Sequence, residues 1–366
     1  MNNLVVYGIG DLGKYIVDCF LKKKIKIEFI IDQFSNLKTY KTIPIKKIKN
    51  LSKDNKNANL LLALHNNYVD ISYLYKNLCK YRFKKIYSLI NFPNLNHICN
   101  FRVRHWVGEK RRRSIHYWYW LNPNFKYAKH KKKINFLRKI FYDNDSRILL
   151  DNIIDYRDSG NISKCPLPSL RDQYLPKDLP KYRGAINYID CGAHKGETIK
   201  HLSCHGVKLN SVMAFEPDKK NFKKLLLTKK KNYQFYRTGV FNKKCILKFN
   251  ATGGADSSVI LEKSQNLANT EIYLDKLDNY CKNFIPQFIK YDVEGSEIEA
   301  LIGSKKTIMK CVPNLAVCLY HKPEHLFKIP LLIKSWNLNY RFYLRVHAFN
   351  TYELVLYCYN KYLSKY

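Results

Sequence analysis

Three acidic strand ends and one histidine carry most of the chemistry this sequence offers. In Tyr188-Ile189-Asp190-Cys191-Gly192-Ala193-His194-Lys195-Gly196-Glu197-Thr198 an apolar run ends in an acid and turns between two glycines into a helix. Gly192 and Gly196 let the backbone approach a ligand without Cβ interference, and the helix start offers free N–H groups to an anion. Such a turn suits the pyrophosphate of a dinucleotide or the amino-acid portion of S-adenosylmethionine. Twenty residues after Gly196 comes Phe215-Glu216-Pro217-Asp218. Glu216 there stands at the end of a second strand, where an acid accepts both ribose hydroxyls. The two motifs together favour an adenosyl ligand. The candidate cofactor contacts are Asp190, Gly192, Ala193, Gly196, Thr198, Glu216 and Pro217.

A second group lies downstream. Lys290-Tyr291-Asp292-Val293-Glu294-Gly295-Ser296-Glu297 puts Asp292 and Glu294 at the end of a central strand, the ligand edge of an open α/β sheet. Glu297 is placed to complement the dipole of the following helix. Tyr320-His321-Lys322-Pro323-Glu324 brings His321 out at the same edge. His321, Asp292 and Glu294 are the candidate catalytic residues. His321 or Asp292 can act as a proton acceptor, or Asp292 and Glu294 can hold a divalent cation. A third motif, Gly8-Ile9-Gly10-Asp11-Leu12-Gly13 with Asp32 nineteen residues beyond Gly13, is a weaker candidate nucleotide site near the start of the chain.

The elements that must carry these residues follow from periodicity. Residues 4–7, 27–32, 60–65 and 85–90 are short apolar runs alternating with helical patterns, so residues 1–95 are expected to form a small Rossmann-like domain. Residues 96–182 change character. Ile134, Leu137, Ile140 and Phe141, then Ile148, Leu149 and Ile153, follow helical spacing, and prolines from Pro166 to Pro180 break the exit, so this part is expected to be a helical connector. Residues 183–366 return to strands at 185–190, 211–216, 288–292 and 314–321, then close with two strand-like runs, 340–346 and 353–359, joined without a helix. A terminal hairpin on a parallel sheet makes the last strand antiparallel. The loop Thr252-Gly253-Gly254-Ala255-Asp256-Ser257-Ser258 suits adenine or acceptor contacts, or is a plain surface loop.

Composition narrows the class. The chain has 366 residues, 65 Lys or Arg against 29 Asp or Glu, and a net charge of +36. Hydrophobic residues make up 46%, which excludes a disordered chain. No run approaches the ~20 apolar residues of a membrane-spanning helix. Its 11 cysteines include no C-x-x-C pair and read as reduced thiols rather than a zinc site. The chain enters its first strand without a leader pattern, so a cytoplasmic location is expected. Basic runs such as Lys22-Lys23-Lys24, Arg111-Arg112-Arg113, Lys131-Lys132-Lys133 and Lys229-Lys230-Lys231 can draw it to the anionic inner-membrane surface, while a coding bias toward Lys, Asn, Ile and Tyr supplies the same charge without a partner.

The blocks at 189–196, 215–217, 292–297 and 320–324, in this order, resemble the FkbM family of S-adenosylmethionine-dependent O-methyltransferases. The resemblance covers residues 183–360, about half of the chain. It implies an α/β fold with a class I methyltransferase Rossmann-like sheet, S-adenosyl-L-methionine as cofactor, and methyl transfer to a hydroxyl, often of a sugar or polyketide. A glycan or a nucleotide sugar is then the expected acceptor. A hydroxyl is a weak acid, so a nearby His or carboxylate should take its proton as attack proceeds. The N-terminal unit resembles small nucleotide-sugar-binding Rossmann domains of bacterial sugar-modifying enzymes. Two other classes compete. A nucleic-acid methyltransferase or binder is suggested by the charge and the basic aromatic stretch 111–120, and disfavoured by the missing D/N-P-P-Y motif. The other is a non-catalytic nucleotide-sugar sensor built on residues 1–95.

Overall fold

The computed structural model describes residues 3–99, 121, 125–182, 184–249, 270–362 and 364–365. The basic aromatic stretch 111–120 and the loop 252–258 lie outside the described residues.

The chain begins β1 (Leu4–Tyr7), α1 (Asp11–Lys22), β2 (Ile27–Ile31), β3 (Thr39–Tyr40), β4 (Ile43–Lys46), β5 (Asn59–Leu62), α2 (Ile71–Cys79), β6 (Lys85–Tyr87) and α3 (Leu95–Cys99). The first sheet has the order β3-β4-β2-β1-β5-β6, parallel except for the β3–β4 hairpin. Its inner strands are continuous apolar runs because helices or connector residues cover both faces. Two of the expected strands stop early. The run 60–65 ends at Leu62 and the run 85–90 at Tyr87, which frees residues 63–68 as a loop at the carboxyl edge.

α1 sits tightly on the turn after β1. A Cβ on Gly13 would lie 2.0 Å from the Gly8 carbonyl oxygen. Gly13→Ala is expected to push α1 off the sheet and cost about 1–3 kcal/mol, the usual toll of overpacking, read as a lower thermal midpoint.

The connector contains α4 (Lys131–Ile140) and α5 (Asn144–Ser159). α5 joins the two halves: Leu150 and Ile153 enter the C-terminal core, while Tyr156 packs beneath the first sheet. The expected face is corrected here. Ile148 is 51% exposed, and the buried stripe runs through Ser146, Leu150, Ile153, Tyr156 and Arg157. The side chain of Arg157 enters the seam, its Nε and Nη2 bonding Thr351 at 3.0 and 3.1 Å and its Nη1 bonding the Tyr127 hydroxyl at 3.0 Å. Buried donors and charge in the stripe blur the apolar period on which a sequence reading depends.

After β7 (Lys181–Tyr182) come β8 (Ile186–Cys191), α6 (Glu197–Cys204), β9 (Leu209–Phe215), α7 (Lys219–Leu225) and β10 (Tyr233–Tyr236). A small sheet follows, from β11 (Gly239–Val240), β12 (Cys245–Phe249) and β13 (Thr270–Asp275). The chain then forms β14 (Phe288–Tyr291), α8 (Glu297–Gly303), α9 (Lys305–Cys311), β15 (Asn314–Cys318), α10 (His325–Lys334), β16 (Tyr340–Val346), β17 (Leu354–Asn360) and β18 (Ser364–Lys365). The main sheet has the order β10-β9-β8-β14-β15-β17-β16. β17 runs antiparallel to both neighbours, as the terminal hairpin required. The hairpin connection holds one 3₁₀ turn, Phe349–Thr351. The fold is thus α/β: a class I methyltransferase sheet preceded by a smaller Rossmann-like sheet and helices. No helix among the described residues is long and apolar enough to cross a membrane.

Candidate active site

β8 and β14 are neighbours in parallel register, which sets Asp190 directly beside Lys290. The Lys290 Nζ donates to Asp190 Oδ1 at 3.0 Å and to the Gly192 carbonyl at 2.8 Å, with Asp292 Oδ2 3.9 Å away. Burial pulls this ammonium down, but Asp190 and Asp292 outweigh it and hold its pKa above the ordinary value. Asp190 is fully buried and does not line the cavity described below, so it braces the turn from behind. A lysine inside the apolar run Phe288-Ile289-Lys290-Tyr291 was the signal that sequence reasoning passed over.

The turn after β8 needs its glycines for internal reasons. Gly192 has φ +83°, and a Cβ there would meet the Asp292 carbonyl oxygen at 1.8 Å. Gly196 has φ +87° and faces Thr228 at 2.9 Å, without lining the cavity. The chain's own backbone and side chains, before any ligand, impose these two residues.

Glu216 closes β9. Its Oε2 accepts from the His194 N–H at 2.8 Å and its Oε1 from the Asp218 N–H at 2.9 Å. Burial outweighs these bonds and pushes its pKa up to about 7. Asp218 caps α7, accepting from the N–H groups of Lys220 and Asn221 at 2.9 and 2.8 Å, so the loop that presents Glu216 is fixed on both sides.

Asp292 receives the hydroxyls of Tyr174 (3.1 Å, Oδ2) and Tyr320 (3.2 Å, Oδ1). Glu294, at φ +52°, stands beside it, and burial raises its pKa to about 7 although His321 opposes this. His321 Nε2 lies 3.4 Å from Glu294 Oε2 and 3.7 Å from Asp292 Oδ1, while its Nδ1 lies 2.8 Å from Glu297 Oε1. Burial lowers the imidazole pKa, but Glu297 and Glu294 prevail and hold it well above 6.5. Glu297 does more than open α8. It is buried, accepts from the Val293 and Gly295 N–H groups at 3.1 and 3.2 Å, and sits 3.1 Å from His325 Nδ1. Burial raises its pKa, yet His321 and His325 together hold it well below 4.5.

These groups surround a cavity of about 520 Å³. Of the residues expected from sequence, Gly192, Ala193, Thr198, Glu216, Pro217, Asp292 and Glu294 line it. Asp190, Gly196 and His321 stand behind the wall. Sequence reasoning missed Gln173 and Tyr174 from the connector, Tyr352 and Glu353 from the hairpin, and His65, Asn66, Asn67 and Tyr68 from the N-terminal sheet. Burial, Asp292 first among the charges, pushes the Glu353 carboxyl up to about 7.

Asp292, Glu297 and His321 each offer a ligand atom within 4.8 Å of the others. The same atoms already meet one another, His321 Nδ1 and His325 Nδ1 lying 2.8 and 3.1 Å from the Glu297 carboxylate.

The N-terminal glycine turn is closed by its own acid. Asp32 Oδ2 accepts from the Ile9 N–H at 2.9 Å, and its Oδ1 from the N–H groups of Phe34 and Ser35 at 2.8 and 2.7 Å. Gly8 packs on Leu64, and the region around Gly10 is open. Gly8, Gly10, Gly13 and Asp32 do not line the cavity.

Residues 190–342 match the family model described as the methyltransferase FkbM domain, which bears out the resemblance read from the four motifs. Among solved structures, that of methyltransferase FkbM from Methylobacillus flagellatus KT superposes with a TM-score of 0.70 at 18% identity. The alignment covers 98% of this chain and 90% of that one, so the likeness of fold includes the N-terminal sheet. No curated protein matches the chain.

Proposed function

We propose, from the match of residues 190–342 to the methyltransferase FkbM domain, that this protein methylates a sugar hydroxyl with S-adenosylmethionine. The acceptor on this reading is a surface glycan or its nucleotide-sugar precursor. The observation that carries the proposal is one cavity lined by Glu216, at the end of β9, together with Asp292 and Glu294, just after β14.

The residues present fit the cofactor. Glu216 has lone pairs left for a ribose diol, Phe241, Leu274 and Val293 supply apolar surface for adenine, and the turn at Gly192 to His194 lies beside the place for the amino-acid portion. When bound, S-adenosylmethionine supplies an electrophilic methyl carbon: the acceptor oxygen bonds to it as the C–S bond breaks and sulfur keeps the electron pair. The chain's task is positioning and proton removal. Glu294 takes the hydroxyl proton on its carboxylate, because it lines the cavity and its pKa of about 7 suits neutral operation. His321, kept protonated by Glu297, holds Glu294 in place rather than acting as the base. Tyr174 and Tyr320 fix Asp292, which orients the hydroxyl.

The acidic wall argues against a nucleic-acid acceptor, whose phosphates it would repel. On this reading the enzyme works in the cytoplasm, with Lys22-Lys23-Lys24 and similar runs drawing it to an anionic membrane surface.

Calorimetric titration with S-adenosylhomocysteine tests the proposal. The wild type is expected to bind in the micromolar range, and Glu216→Ala to bind ten- to a hundredfold more weakly, about the loss of a charge-assisted hydrogen-bond pair. Unchanged affinity in that variant would remove the proposal's main support.

A further inference from the structure

We infer that the loop after β5, residues 65–68, is an acceptor-recognition arm, and that with Gln173 and Tyr352 it forms a subsite for an uncharged, polyhydroxylated ring. The inference rests on the reading above, in which the opposite half of the cavity holds the adenosyl cofactor.

Topology brings the arm to the site. β5 ends at Leu62 on the carboxyl edge of the first sheet, and β8 and β14 end on the carboxyl edge of the second. Both edges open on the same cavity, so the lining that holds Asp292 and Glu294 is incomplete without the loop of the N-terminal sheet.

The arm is built rather than incidental. Asn66 Oδ1 accepts from the N–H groups of Tyr68 and Val69 at 3.0 and 2.9 Å, closing a tight turn. From the other half, the Asn350 Nδ2 donates to the Asn66 carbonyl at 2.5 Å and to the Val69 carbonyl at 3.2 Å. The His65 and Tyr352 rings lie 5.1 Å apart across the seam. Asp70 then caps α2, accepting from the Tyr73 N–H at 2.8 Å. The loop is therefore held at both ends and from across the seam, while Tyr68 itself is left 83% exposed on the cavity wall.

The chemistry of the wall selects the ligand. Asn67 offers a carboxamide that can donate to and accept from vicinal hydroxyls, Gln173 adds an acceptor oxygen while its Nε2 serves Tyr174 and Glu353 at 3.2 and 2.7 Å, and the exposed Tyr68 offers a ring face to the C–H side of a sugar. Asp292, Glu294 and Glu353 are acceptors for hydroxyl protons and repel a phosphate or carboxylate. Lys290, the lysine that the lining holds among the described residues, is committed to Asp190 and the Gly192 carbonyl, and of the lining histidines His194 already faces Glu197 at 3.1 Å. Any charged part of the acceptor must lie outside this wall.

The test uses the full chain saturated with S-adenosylhomocysteine and saturation-transfer NMR with four probes: methyl α-mannoside, methyl β-glucoside, methyl β-glucuronide and methyl β-glucosaminide. Transfer to the two neutral glycosides is expected in the wild type. It should fall at least tenfold in the double variant Asn67→Ala, Tyr68→Ala, and persist in Tyr73→Ala, which removes an exposed ring from α2 away from the cavity. The affinity for S-adenosylhomocysteine should stay within twofold in all three proteins, which also shows that the variants fold. The inference is overturned if the neutral glycosides give no signal or an equal one in the double variant. A preference for the glucuronide or the glucosaminide overturns it equally. A wild type that fails to bind S-adenosylhomocysteine instead removes the reading beneath it, before any glycoside is added.

Discussion

Replacing Glu294 with glutamine is expected to lower the turnover of methyl transfer by about 10²–10⁴-fold, the usual worth of a positioned general base. The affinity for S-adenosylhomocysteine should change little, since Glu294 belongs to the acceptor side of the cavity. The pH dependence gives the sharper signature. Burial raises the Glu294 pKa to about 7, and only the ionised form can accept a proton. Wild-type activity should therefore climb as pH rises through about 7 and level off above it, whereas Glu294→Gln should be slow and flat across that range. If Asp292→Asn flattens the profile and Glu294→Gln preserves it, the base is Asp292 and the roles assigned to the two carboxylates exchange.

Glu297→Ala is expected to be the most damaging single change to stability. Glu297 is fully buried, and it serves His321, His325 and two backbone N–H groups at once. Removing it takes the carboxylate from beside His321 Nδ1 and His325 Nδ1, both buried, and breaking a buried pair in this way costs about 3–5 kcal/mol. The sign of the pH effect follows from both partners. Glu297 is held well below its ordinary 4.5, so its contribution is present above 4.5 and lost as pH falls through the lowered value. His321 is held well above its ordinary 6.5, so its contribution is full below 6.5 and lost as pH rises through the raised value. The gap in melting temperature between wild type and Glu297→Ala should be widest between these limits and narrow on either side. A gap independent of pH would mean that Glu297 acts by filling space rather than by charge.

The sequence determined where the main strands of both α/β halves lie along the chain and the residues at their ends, while their order within each sheet and the short strands β3, β4 and β10 to β13 came from the tertiary structure. Strand and helix periods are local, and an acid or glycine at the end of an apolar run is visible within ten residues. Hence Glu216, Asp292 and Glu294, which the structure places on the cavity lining, were legible as strand-end acids, and the hairpin at the end of the chain announced the antiparallel strand. A motif lists neighbours without saying which way they face. Asp190, read as a cofactor contact, is buried against Lys290 and does not line the cavity; His321, read with Asp292 as a candidate base, also lies outside the lining, with its Nδ1 2.8 Å from Glu297. Tertiary structure alone decided what depends on register between distant segments. The β8–β14 pairing joins Asp190 to Lys290 across a hundred residues. Packing of α8 against the loop after β15 brings Glu297 to His321, and the meeting of the two halves sets Asn67 and Tyr68 in one cavity with Asp292. Such contacts follow from burying two apolar sheets against shared helices, and chain-local spacing carries no record of which residues that burial brings together.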